Sequence, residues 1–391
     1  MNKSGLAMLK TLACITAVSF FTLYQSYDRY YYDVSLTLNV LSFVSTIATP
    51  LYFLLSGYMD AGEQPTPAWQ LGRIRRILLI FLFWFSFFWL AGMHHKGYLI
   101  QPWFVIALIV IYVSHPLIDR LVRRPGVMAL LIFLLLLFAF TYDLLASLSI
   151  FLFWFSFFWL AGMHHKGYLI QPWFVIALIV IYVSHPLIDR LVRRPGVMAL
   201  LIFLLLLFAF TYDLLASLSP ERRLFSLPPQ YRIWTWVLYY LSGRLIAAPA
   251  VMPFFTSPRV IKTSLLLLPA VYLFTWLYER YYFIARFLAT SNEVLLTGSQ
   301  VYLLVILIVI SINAIRLPAR ARWVTPLLTT LGKTMTGVYI LHYLIFGLLA
   351  AAIRIETLGD KLLVIALTLI FSMTLSLLLL RIPGVRKLIS L

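Results

Sequence analysis

An all-α, polytopic bundle of transmembrane helices is the fold class expected for this chain, with a ten-span design enlarged by an exact tandem duplication. Three observations predict it. Apolar residues make up 63% of the sequence and charged residues 11%, for a mean hydropathy of +0.96. The apolar residues fall in runs close to the roughly 20 residues that a helix needs to cross a bilayer. Lysines and arginines gather in short clusters between those runs, as they do in loops kept on the cytoplasmic side. The net charge of +18 therefore reads as topology and lipid contact, not nucleic-acid binding, because no basic domain or aromatic platform accompanies it. The one cysteine, Cys14, excludes an internal disulfide framework and a Cys-based metal site. It reads as a packed residue of the first span.

In chain order the expected spans are 7–25, 36–58, 75–93, 100–118 and 127–148, then 150–163, 170–188 and 197–218, and finally 233–253, 263–283, 300–315, 333–352 and 362–380. The third is anchored by Arg73, Arg75 and Arg76 and continues through Ile77, Leu78 and Leu79. The fourth opens on Gln101-Pro102-Trp103-Phe104 and closes on Ser114-His115-Pro116. The sixth to eighth are copies: residues 80–149 recur without change as 150–219, a block of seventy residues carrying three spans. The copied opening span lacks the arginine anchor and has only about fifteen apolar residues, short of what a crossing needs.

An odd number of added crossings inverts everything downstream, so the charge pattern decides how the repeat is read. With one copy counted, one side receives Lys3, then Arg73, Arg75 and Arg76, then Arg120, Arg123 and Arg124, then Arg244, Arg259 and Lys262, then Arg316, Arg320 and Arg322, and last Arg381, Arg386 and Lys387. The other side receives few basic residues, most of them beside acids: Arg29 next to Asp28, Lys96, Arg222 and Arg223 after Glu221, Arg280 after Glu279, Arg354 near Glu356. Insertion of all three copied spans would put every basic cluster from Arg190 onward outside, against the rule that such clusters stay in. The pattern is thus that of ten spans with both termini cytoplasmic, within a single domain over residues 1–391, and one copy of the repeat is either not native or not fully inserted.

Polar groups inside apolar segments are costly in a membrane and tend to face the protein interior, so function is sought there. Four places stand out. Thr49-Pro50 is followed six residues on by the small pair Ser56-Gly57, which either packs a neighbouring helix closely or lines a passage. Arg73 and Arg76, three apart, share a face of a helix opening at the cytoplasmic surface, where two guanidinium forks can hold phosphate or anionic lipid. The stretch Gly332-Lys333-Thr334-Met335-Thr336-Gly337-Val338-Tyr339-Ile340-Leu341-His342 puts Tyr339 and His342 on one face amid small residues. Last, Trp103-Phe104 leads to Tyr112 and Pro116, and is duplicated at 173–186; an interfacial anchor is the ordinary role of such a tryptophan.

Taken in order, these segments resemble the membrane acyltransferase family called acyltransferase-3, which includes O-acetyltransferases of bacterial surface polysaccharides and of enterobacterial common antigen. Pro50 to Tyr58 looks like the family's apolar Ser-Gly-aromatic segment. Arg73-x-x-Arg76 matches its Arg-x-x-Arg, and Trp103 to Pro116 resembles its Trp-Phe segment that closes on a proline. Gly332 to His342 looks like its Gly-Lys-x-Ser-x-Gly-Ile-Tyr-x-x-His segment, with Thr336 in place of Ser. The likeness runs from about Leu9 to the C-terminus and departs at two positions. Where the family has an Arg and, eleven residues later, a His in the first span, this chain has Lys10 and Phe21.

The resemblance implies an integral protein of the bacterial inner membrane, N-terminus cytoplasmic. It would move an acyl group, acetyl in the first instance, from a cytoplasmic acyl-CoA to a hydroxyl of a cell-surface or lipid-linked glycan. Arg73 and Arg76 would bind the donor's phosphates. His342, Tyr339 and Lys10 would serve in catalysis, while Ser56, Gly57 and Trp103 would line the substrate passage. Acetyl-CoA is the donor expected and no metal is; the partners expected are membrane lipid, the glycan, and a second copy or a partner acyltransferase, with no nucleic acid. Phe21 cannot exchange a proton. That keeps two alternatives open: a catalytically degenerate member acting as glycan exporter or partner subunit, and a non-functional duplicated product.

Overall fold

The computed structural model describes residues 3–29, 43–61, 67–90, 181, 182, 184, 188, 195–218, 233–278, 281, 299–315 and 324–389, and these are helical with no strand among them. In order they form α1 (Lys3–Arg29), α2 (Ala48–Asp60), α3 (Pro67–Leu90), α4 (Pro195–Leu218), α5 (Ile233–Ala247), the short α6 (Met252–Phe255) and α7 (Pro258–Tyr278). A 3-10 turn, Ser299–Val301, leads into α8 (Tyr302–Ala314), followed by α9 (Val324–Lys333), α10 (Met335–Ala352), α11 (Leu358–Leu380) and α12 (Pro383–Ile389). Among the described residues, four segments are long and apolar enough to cross a membrane: Pro195–Leu214 within α4, then α7, α10 and α11. They turn large apolar side chains outward, among them Phe203, Leu266, Phe274, Leu348 and Phe371. Hydrocarbon favours such a surface, and a helix is the element that satisfies its own backbone there.

The chain divides into two compact units, residues 1–80 with 175–391, and residues 81–174. The second falls almost wholly outside the described residues, and with it the spans expected at 100–118, 127–148 and 150–163. Within the first unit α1 is central, packing against α2, α8, α9, α10 and α11; α2 lies along α5, α5 along α4, α7 along α8, and α10 along α11.

Small residues set the closest crossings, as in other helix packings that lack a hydrophobic drive between helices. A Cβ on Gly57 would run into the Tyr240 carbonyl, and one on Gly243 into the Leu54 carbonyl, so α2 and α5 touch through two glycines. Gly337 meets the Ser376 side chain in the same way between α10 and α11.

The expected boundaries shift where local chemistry overrides apolar pattern. The span expected at 333–352 begins after a break, since Thr334 turns its hydroxyl to the Leu331 carbonyl at 2.6 Å and separates α9 from α10. The span expected at 233–253 stops at Ala247, because Pro249 and then Pro253 prevent the chain from continuing a regular helix. Pro258 begins α7 five residues before the expected 263, a position where a missing N–H costs nothing. At α11 a reciprocal cap holds the start: Thr357 Oγ1 accepts from the Asp360 amide at 3.1 Å, and Asp360 accepts from the Thr357 amide at 2.8 Å. Pro383 then ends the last turn after α11, and α12 folds back on α10 and α11.

Candidate functional site

In the first unit the end of α2, the start of α3, the third turn of α1, the α9–α10 junction and the α11–α12 turn converge on a cavity of about 650 Å³. Five cationic side chains line it: Lys10, Arg73, Arg76, Lys333 and Arg386. One carboxylate, Asp60, faces them. Hydroxyl groups come from Tyr52, Ser56, Tyr182 and Thr336, and apolar lining from Met59, Met335 and Leu380.

Asp60 organises the α2–α3 side. It is the last residue of α2 and only 2% exposed, so a charge there requires partners. Arg73 Nη2 lies 3.2 Å from its Oδ1, the Tyr240 hydroxyl donates to Oδ2 at 3.0 Å, and the Tyr182 ring packs edge-on against Tyr240 with centroids 6.5 Å apart. Arg244 Nη1 donates to the Asp60 backbone carbonyl and so holds the end of α2 itself. The Trp69 ring, one helical turn before Arg73, sits 5.4 Å from its guanidinium carbon, a cation–π contact that fixes the plane of the fork. Arg73 is thus aimed from two sides, with Arg76 one turn further along the same helix face.

Lys10 reaches the cavity because Gly332 is a glycine. A Cβ at 332 would come within 3.3 Å of the Lys10 stem, so the residue that opens the Gly332 to His342 segment also gives the lysine its path. Ser56 gives its hydroxyl to the Tyr52 carbonyl at 2.9 Å and borders the cavity, whereas its neighbour Gly57 is taken up by the contact with α5.

Tyr339 and His342 share a helix face and their rings lie 5.9 Å apart, but among the described residues neither lines the cavity. They stand behind it. Tyr52, on the cavity wall, contacts the Tyr339 ring at 5.4 Å, and Tyr339 hydroxyl pairs with Thr49 Oγ1 at 3.2 Å. His342 Nδ1 lies 2.9 Å from the Val338 carbonyl. A carbonyl only accepts, so Nδ1 carries the proton of the neutral ring and Nε2 is the basic nitrogen.

The structure therefore brings Lys10, Ser56, Arg73 and Arg76 together, sets Tyr339 and His342 behind them, and gives Gly57 to packing. Trp103 lies outside the described residues, and the side chain of Phe21 does too. Asp60, Tyr182, Lys333 and Arg386 complete the cavity without having been singled out in the sequence. Arg386 reads there as a topology anchor, and Lys333 stands within the Gly332 to His342 segment without a role of its own. Asp60 carried a signal of its own, an acid at the end of an apolar run directly before an arginine-rich helix start. No protein-family model, no curated protein and no solved structure matches this chain.

Proposed function

We propose that the chain is a membrane acyltransferase of the acyltransferase-3 type, moving an acetyl or similar acyl group from cytoplasmic acyl-CoA to a hydroxyl of a cell-surface or lipid-linked glycan. One observation carries the reading: five cations against one buried, already paired carboxylate around a cavity of about 650 Å³. Such a concentration of like charge favours a polyanionic ligand, and the diphosphate and ribose phosphate of coenzyme A supply that charge in forms that guanidinium forks grip bidentately. All four sequence segments of the resemblance contribute to the lining, the Trp-Phe segment through Tyr182, the copy of Tyr112.

In the proposed reaction the acceptor hydroxyl oxygen attacks the thioester carbonyl. Its proton passes to a base, for which His342 Nε2 is the candidate through Tyr339, and the cationic wall meets the charge that develops on the carbonyl oxygen. Collapse breaks the C–S bond, and the coenzyme A thiolate leaves and takes up the proton.

The same cavity supports the ten-span topology. Arg244 binds the end of α2 beside Arg73, and Arg386 shares the cavity with Arg76. Meeting at one end requires an even number of crossings between α3 and α5, which three extra spans would make odd. That end is the one the basic clusters assign to the cytoplasm, where the donor resides.

Purified protein in nanodiscs should be protected by coenzyme A against thermal unfolding. Arg76→Ala should weaken that binding about 10- to 100-fold, the effect of one lost charge-assisted contact of roughly 1.5–3 kcal/mol. Absence of protection in the unaltered chain sinks the donor site. Acylated glycan in whole cells, measured by mass analysis with and without the chain, tests the transfer itself. Phe21, at the position of the family's first-span histidine, favours a second reading in which the chain partners an active enzyme or exports the glycan. Acyl transfer gained by the double variant Lys10→Arg, Phe21→His would mark a latent enzyme, and no gain would favour the partner.

A further inference from the structure

We infer that Ile389 is a positioning residue for Arg386: it fastens α12 to the start of α10 and so keeps the fifth cation on the cavity. The other four cations belong to longer elements. Lys10 is part of α1 and Arg73 and Arg76 of α3, helices of 27 and 24 residues, and Lys333 closes α9 at its junction with α10. Of the five, Arg386 is the one carried by a helix of seven residues. Two turns do not hold themselves together, because nucleating a helix costs more than so few hydrogen bonds offset. The place of Arg386 is therefore set by what α12 packs against.

Within α12 the buried residue is Ile389, 0% exposed, while Arg386 is exposed where it borders the cavity. Val385, one turn before Ile389 on the same side, is half-buried. The end of α12 rests against bare backbone: a Cβ on Gly337 would meet the Ser376 hydroxyl and lie 3.7 Å from the Ile389 carbonyl. Gly337 directly follows Met335 and Thr336, which line the cavity, so α12 is tied down beside the wall that Arg386 borders. At its other end the Arg386 amide donates to the Ile382 carbonyl at 2.8 Å, and Pro383 fixes the turn out of α11. Arg386 and Ile389, three apart, share a side of the helix, so seating one aims the other. With Ile389 released, α12 pivots about Pro383 and carries the charge away from the cavity.

The effect on ligand rests on the donor-binding role proposed above, whereas the seating of α12 does not, and two measurements separate them. In nanodiscs at low salt, Arg386→Gln should lower coenzyme A affinity about fivefold, the upper end for an exposed ion pair, and Ile389→Ala should reproduce that loss. The double variant should lose no more than either single one, since the second change acts on a charge already displaced. Ile389→Val, which keeps the buried contact, should restore the original value. Both losses should shrink together as salt is raised, which a packing defect alone would not do. Unchanged affinity in Ile389→Ala, or losses that multiply in the double variant, overturn the inference. Seating is read without coenzyme A in full-length chains carrying Cys14→Ala and Arg386→Cys, where four cations still line the cavity. There an anionic methanethiosulfonate should modify position 386 faster than a cationic one, and adding Ile389→Ala should bring the two rates together. No preference, or one that Ile389→Ala leaves intact, overturns the inference. If the preference falls as expected but the unaltered chain binds no coenzyme A, the donor reading fails and the seating of α12 stands.

Discussion

Replacing Asp60 by Ala is expected to lower the unfolding free energy by about 3 kcal/mol, the lower end of what removal of one partner from a buried ion pair costs. The lower end applies because the side chain of Arg73 keeps 22% of its exposure while that of Asp60 keeps 4%. Water can still reach the guanidinium, but the Tyr240 hydroxyl is wholly buried and loses its acceptor. Loss of that hydrogen bond to a charged group adds about 1.5–3 kcal/mol in its own right, part of which the relaxed arginine recovers. Asp60→Asn, which keeps an acceptor and gives up the charge, should cost less than half as much. Reversible denaturation in mixed detergent micelles measures both, and a loss under about 1 kcal/mol for Asp60→Ala would mean that the carboxylate does not hold the α2–α3 corner. Arg244 provides an internal control, since it bonds the backbone carbonyl at position 60 and keeps its partner in either variant.

Composition made the helical membrane class legible, because in hydrocarbon a chain of this apolarity has few ways to satisfy its backbone. The α9–α10 break was not legible, because Thr334 sits in a run whose apolar residues continue across it and only the local Thr334-to-Leu331 bond marks the turn. In the site, Arg73, Arg76 and Ser56 were legible as polar groups in or beside apolar segments and Lys10 only through the family resemblance, and the structure puts all four on one cavity. Asp60 was missed because an acid at a helix end ordinarily reads as a solvated loop residue. Arg386 was missed for a different reason: one charge can set topology and also face a ligand, and counting it for the first purpose hid the second.

Gly57 and Gly243 should be the least tolerant positions of the bundle. Each lies against a backbone carbonyl of the opposite helix, Tyr240 for Gly57 and Leu54 for Gly243, and a carbonyl in a helix cannot rotate out of the way as a side chain can. Gly337 shows the contrast, since there the obstructing group is the Ser376 side chain, which has other rotamers open to it. A methyl group at 57 or 243 therefore forces α2 and α5 apart, and the cost expected is about 3 kcal/mol, the upper part of the range for overpacking. Gly72→Ala, where nothing lies within 4 Å, should instead gain up to about 1 kcal/mol from helix propensity alone. The separation also reaches the cavity, because Tyr240 and Arg244 bond Asp60 from the same helix that Gly243 belongs to. Gly57→Ala should accordingly weaken coenzyme A binding without touching the ligand. The double variant should lose less than the sum of its parts, since the first methyl already opens the crossing that the second would open. A Gly57→Ala chain within about 0.5 kcal/mol of the original would show that α2 and α5 have slack, and the tight corner that aims Arg73 would then need another support.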